Sequence, residues 1–215
     1  MVARSKTKEK ILHTALGLLN NEGDTQITSV DIAAVMSISP GNLYYHYKGK
    51  DVIIAELFAD FETEIRQVLS APVTKPLALE DNWIYLYIIF EEIYDFRFFY
   101  LNLTSLLERI PELRPKFKRL LSLMQTAFEL LLSGLEASEH LYFRTDEKHI
   151  LSERLTQHFT YWLAYASLRG IGAKNPKTMI HEGVYTALSQ ITPHWGANSE
   201  PYAELLRDFL DEQVG

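Results

Sequence analysis

Apolar residues recur along this chain at spacings of three and four, with almost none of the alternating, β-branched stretches that mark strands, so the pattern predicts an all-α protein. A first helix runs from Thr7 to Asn21, with Ile11, Ala15, Leu18 and Leu19 on one face and Gly23 as its stop signal. Thr28 or Ser29 can cap a short helix reaching Met36, because a hydroxyl oxygen there satisfies an orphan backbone amide. Ser37-Ile38-Ser39 interrupts it, and Ser39-Pro40 opens a second short helix to about Tyr47, with Gly49 closing it. A long helix follows from Asp51 to about Leu69, and Pro72 to Pro76 form the clearest interior boundary. Further helices are expected at roughly 78–95, 97–108, 112–136, 147–170, 176–191 and 201–212.

The two short helices, joined by three residues and preceded by a longer one, have the layout of a helix-turn-helix. In that layout Ile32, Ala33, Met36, Ile38 and Leu43 face inward with Leu18 and Leu19. Gly41, Asn42, Tyr44, Tyr45, His46 and Lys48 face outward, a polar, aromatic and basic set suited to base edges and phosphates. Tyr44 and Tyr47 can equally be core aromatics, Tyr47 the more so, and His46 a solvated surface residue.

Charge is distributed unevenly along the chain. The 215 residues carry a net charge of −7, which excludes a protein coated all over in nucleic-acid-binding charge. The first fifty residues hold six cations against four carboxylates, net +2, and leave −9 for the remainder. A basic start on an acidic body is the asymmetry of a chain whose one end meets a polyanion, but six cations in fifty residues is also close to average, so charge alone leaves both readings open and the pattern of those residues decides.

The run Thr28-Ser29-Val30-Asp31-Ile32-Ala33, then Ile38-Ser39-Pro40-Gly41-Asn42-Leu43-Tyr44-Tyr45-His46-Tyr47-Lys48-Gly49-Lys50, resembles the N-terminal signature of TetR/AcrR-type transcriptional regulators. The likeness is close over residues 7–60 and only architectural beyond. It implies a DNA-binding domain at 1–50 and a helical ligand-binding and dimerisation domain at 51–215. Pro40, Gly41, Asn42, Tyr44 and His46 then stand where the family approaches bases, and Thr28, Ser29, Tyr45 and Lys50 where it contacts phosphates; Lys48 belongs to the same face. The helix N-terminus at Thr28 and Ser29 attracts anions, and Asn42 can pair bidentately with adenine. Ser37 stands where the family often has glycine, a left-handed position that costs another residue roughly 1–2 kcal/mol. The implied function is a ligand-responsive repressor, acting as a homodimer on a palindromic double-stranded DNA operator. The alternative is a helical small-molecule-binding or scaffold protein that does not touch DNA.

Residues 83–100 hold nine of the 26 aromatic residues. Trp83, Tyr87, Phe90 and Tyr94 share a helix face that is either plain core or, as the resemblance implies, the wall of a site for a small apolar or aromatic ligand. Phe128 and His158 are the further candidates, and Glu91, Glu92, Arg97, Gln125 and Glu129 offer polar groups. Leu151, Leu155, Phe159, Trp162 and Ala166 form one stripe and Ile180, Val184, Ala187 and Ile191 another, either as a dimer interface or facing the chain's own core.

With no cysteine there is no disulfide, thiolate nucleophile or zinc finger. No paired Glu-x-x-His, G-x-S-x-G, P-loop or G-x-G-x-x-G pattern is present, so neither catalysis, a metal nor a cofactor is expected. Thr156 to Leu168, free of formal charge, is shorter than the roughly 18–20 residues that span a bilayer, and nothing after Met1 to Lys10 reads as a signal peptide. A cytoplasmic protein without membrane contact is the expectation.

Overall fold

The computed structural model describes residues 4–70, 79–173, 175–200, 203, 204 and 207. Ten α-helices are described: α1 (Lys6–Glu22), α2 (Ser29–Val35), α3 (Pro40–His46), α4 (Lys50–Leu69), α5 (Leu79–Asp95), α6 (Arg97–Leu101), α7 (Leu103–Arg109), α8 (Leu113–Ala137), α9 (Glu147–Arg169) and α10 (Pro176–Ser189). Among the described residues there is no strand, only an isolated bridge between Leu141 and Trp195. The boundary expected at Pro72 to Pro76 and most of the helix expected at 201–212 lie outside the described residues.

The chain divides into two compact units. The first comprises Met1–Glu64 and Asp95–Phe117. Ile11, Ala15 and Leu19 of α1 are buried, as are Ile32, Ala33, Leu43 and Tyr47 from the two short helices and their exit. Phe58 and Phe61 of α4 meet Phe99 and Phe96, with ring centroids 4.9 and 5.2 Å apart, so the aromatic run closes over α4. Leu18, Met36 and Ile38, expected inside, are half-buried at the margin of this core.

A single helix expected at 97–108 is two. Asn102 interrupts it at φ −122°, and its side-chain amide donates back to the Phe98 carbonyl at 2.8 Å. A short polar side chain that bonds the preceding turn competes with the helical ladder.

The second unit comprises Ile65–Tyr94 and Lys118–Gly215. Here Leu151, Leu155, Phe159, Trp162 and Ala166 of α9 are buried with Ile180, Val184 and Ala187 of α10 and with Ile191. Both stripes therefore belong to the chain's own core and not to a face left open for a partner. α8 is long and apolar enough to cross a membrane by length and composition. Its stripe of Leu120, Met124, Phe128, Leu131 and Leu135 is buried within the fold, as in the core helix of a globular protein.

Candidate nucleic-acid interface

The first unit carries the residues that the sequence assigns to DNA. Thr28 caps α2 through a reciprocal box: the Asp31 amide donates to the Thr28 hydroxyl at 3.3 Å, and the Thr28 amide and hydroxyl donate to the Asp31 carboxylate at 2.8 and 2.6 Å. Those bonds from Thr28 hold the Asp31 carboxyl below its ordinary range. Ser29 follows as the first helical residue.

Ser37 then takes φ 55°, the left-handed conformation expected of it, and turns the chain from α2 into α3. Ser39 caps α3 by accepting from the Asn42 amide at 3.1 Å, and Pro40 opens the helix, where its fixed φ suits the first turn. Leu43 and Tyr47 anchor α3 to the core, 1% exposed each. The opposite face stands open: Pro40, Gly41 and Asn42 are exposed, Tyr44 is 56% and Tyr45 79% exposed, and His46 is half-buried with its ring edge-on to Tyr45. Lys48 reaches back over the Tyr44 ring, 4.4 Å from its centroid, a cation–π contact that holds the charge beside α3.

Lys50 is placed differently. Its ammonium donates to the backbone carbonyls of Asp24 at 2.5 Å and Ile27 at 2.8 Å, and lies 3.1 Å from an Asp24 carboxylate oxygen. Asp24 is fully buried, and Arg109 at the end of α7 donates to both of its oxygens, at 2.7 and 2.8 Å. Burial alone pushes the Asp24 carboxyl up; the bonds from Arg109 and Lys50 outweigh it and set the group below its ordinary value. Arg109 also donates to Asp51 at 2.9 Å. Asp24 and Arg109 carry no local sequence signal, because they are 85 positions apart and neither sits in a motif.

Of the ligand candidates, Phe90, Phe128 and His158 come together around Phe159. Phe90 stacks on Phe159 at 4.0 Å, Phe128 lies 4.9 Å from it, and the His158 ring is edge-on to Phe90. Phe90 and Phe128 are fully buried. Burial favours the neutral form of His158, and its Nε2 donates to the Gly183 carbonyl at 2.9 Å. Trp83 and Tyr87 form a second, half-buried group with His181, whose ring lies 5.3 Å from that of Tyr87. Tyr94 is half-buried at the end of α5. Of the polar groups named with them, Glu91 is exposed, Arg97 bonds Asn21 in the first unit, and Glu129 accepts from His149 at 2.7 Å.

The family model TetR, described as a bacterial transcriptional repressor, matches residues 60–202. A TetR-family transcriptional regulator from Marinobacter aquaeolei VT8 is 29% identical, with a TM-score of 0.86 over 95% of this chain and 99% of its own. The fatty acid degradation regulator FadR from Bacillus halodurans shares the fold at 16% identity, with a TM-score of 0.59 over 88% of this chain and 96% of its own. SmeT, solved as a triclosan complex, does so at 17% identity, with a TM-score of 0.56 over 91% and 94%. A search of the curated proteins finds no match. The open face of α3 and the family match over the body, taken together, make this chain a member of the TetR family, a DNA-binding transcriptional regulator.

Proposed function

We propose that the chain is a ligand-responsive repressor that binds a palindromic operator as a cytoplasmic homodimer. The observation that carries this reading is the open face of α3, where Asn42, Tyr44 and Tyr45 stand in solvent while Leu43 and Tyr47 between and after them are buried. Pro40, Gly41, Asn42, Tyr44 and His46 approach base edges in the major groove. Tyr45, Lys48 and the α2 start at Thr28 and Ser29 meet phosphates. Lys50 reaches a phosphate only by giving up its bonds to Asp24 and Ile27, so its contribution is chiefly to hold the start of α4 in place. The chain acts by binding alone, without catalysis, cofactor or membrane contact.

One seven-residue helix reads too few base pairs for a unique site, so two copies are required, spaced by whole helical turns. With the inner stripes of α9 and α10 buried, the second copy seats on their outer face, where Tyr161, Tyr165 and Leu168 are 51%, 49% and 89% exposed. A groove of about 420 Å³ between His158, Trp162 and Thr186 lies on that face. The ligand is a small apolar or aromatic molecule held by the aromatic side chains of the second unit, Trp83, Tyr87, Phe90, Tyr94 and Phe128 with His158, as SmeT is a chain of this fold solved with triclosan. Its binding shifts α4 and alters the spacing of the two heads; a coupling of about 1–3 kcal/mol changes operator affinity roughly 5- to 150-fold.

The test is selection of duplexes from a random DNA pool, followed by binding of variants to the selected site. Asn42→Ala is expected to relax preference at one base position, and Lys48→Ala to weaken every sequence alike and lower the salt slope by about one. Full affinity and selectivity in both, or no duplex enriched at all, leaves the scaffold alternative standing.

A further inference from the structure

Both helices of the helix-turn-helix, α2 and α3, lie in the segment 28–49, and each is only seven residues long. Helices of that length are marginal on their own, so their orientation must be imposed from outside. Few of their side chains supply an anchor: Ile32, Ala33, Leu43 and Tyr47 are the buried ones. The two ends of the segment, in contrast, meet one cluster of charge. Its entrance, the turn from Asp24 to Ile27, receives the Lys50 ammonium on two carbonyls. Its exit is Lys50 itself with Asp51, the first turn of α4.

The remaining member of that cluster comes from elsewhere in the chain. Arg109 closes α7, and its planar guanidinium donates two nitrogens to the buried Asp24 carboxylate and the third, Nε, to Asp51. A forked pair of this kind fixes direction as well as distance, which a point charge does not. Buried ion pairs are weak evidence for stability and are better attested as devices that select one arrangement. We propose that Arg109 is a positioning residue for DNA binding: from α7 it pins both ends of the helix-turn-helix and so sets the pose of α3. This rests on the reading of α3 as the DNA-contacting helix.

The experiment compares the full-length protein with Arg109→Met and Arg109→Lys, using a duplex selected by the parent protein as the probe. Arg109→Met is expected to bind at least tenfold more weakly per active molecule, with the slope of log affinity against log salt unchanged. Amide hydrogen exchange across residues 28–49 should quicken about tenfold while α9 keeps its protection. Arg109→Lys, which keeps the charge but not the fork, should fall between the two. Parental affinity and exchange in a folded Arg109→Met protein overturn the proposal. So does a salt slope smaller by about one, which marks Arg109 as a direct phosphate contact. If Arg109→Met does not fold, Arg109→Lys decides: quickened exchange over 28–49 with weakened binding at unchanged slope supports the proposal, and parental behaviour overturns it. Asn42→Ala on the same duplex separates the two readings, since full affinity and selectivity there removes α3 from the interface whatever Arg109 does.

Discussion

Ser37 holds the left-handed turn between α2 and α3 with no glycine to relax it. Ser37→Gly removes a steric cost of roughly 1–2 kcal/mol and restores some unfolded-chain entropy, so the variant is expected to gain about 0.5–1 kcal/mol in urea unfolding, with the helix-turn-helix unchanged. His158 gives a pH signature. Its folded form favours the neutral ring, so between its ordinary value of 6.5 and its lower folded value the unfolded chain binds more protons. Stability attributable to this residue is therefore complete above pH 6.5 and declines as the pH falls below it. His158→Gln, which has no proton to take up, should show a flatter stability profile over the same range; identical profiles remove His158 as the source. The Ser37 turn was readable because its cause is local sterics. The pairing of His158 with Gly183 was not, because it joins two helices 25 positions apart.

Between elements the controlling dimension is the separation of α9 from α10. Gly183 has no side chain where Trp162 crosses it: a Cβ there would meet the indole Nε1 at 2.6 Å, its Cδ1 at 2.8 Å and the Phe90 ring at 3.0 Å. The indole instead donates to the Met179 carbonyl at 2.7 Å. Gly183→Ala should destabilise the chain by about 1–3 kcal/mol, seen as a lower Tm and altered tryptophan fluorescence; an unchanged Tm means the helices have room that this packing denies them. Helix positions were legible almost throughout, because hydrophobic spacing and caps such as Ser39-Pro40 and Asn175-Pro176 act within one or two turns. The break at Asn102 was missed because an asparagine is compatible with a helix until its amide finds the Phe98 carbonyl. The inner stripes of α9 and α10 were visible as stripes, but periodicity does not say whether a stripe meets its own chain or a second copy.

For the whole molecule, the motif at residues 28–50 and the family match at 60–202 fall on adjoining parts of the chain and agree. The proposed dimer makes a measurable demand. An operator with one half-site scrambled should bind at least tenfold more weakly than the intact palindrome, and Leu168→Glu should impose the same loss on the intact site while sedimenting as a monomer. Equal affinity for both operators means that single heads suffice.

The Asp24, Lys50, Asp51 and Arg109 side chains carry two positive and two negative formal charges and so cancel at distances beyond a Debye length of roughly 10 Å. The pull toward a polyanion is left to cations outside that quartet, such as Lys48. Ionic strength therefore grips two processes unequally: added salt should release the nucleic acid long before it loosens the head that holds it, and the protein set free should be folded and ready to bind again on dilution.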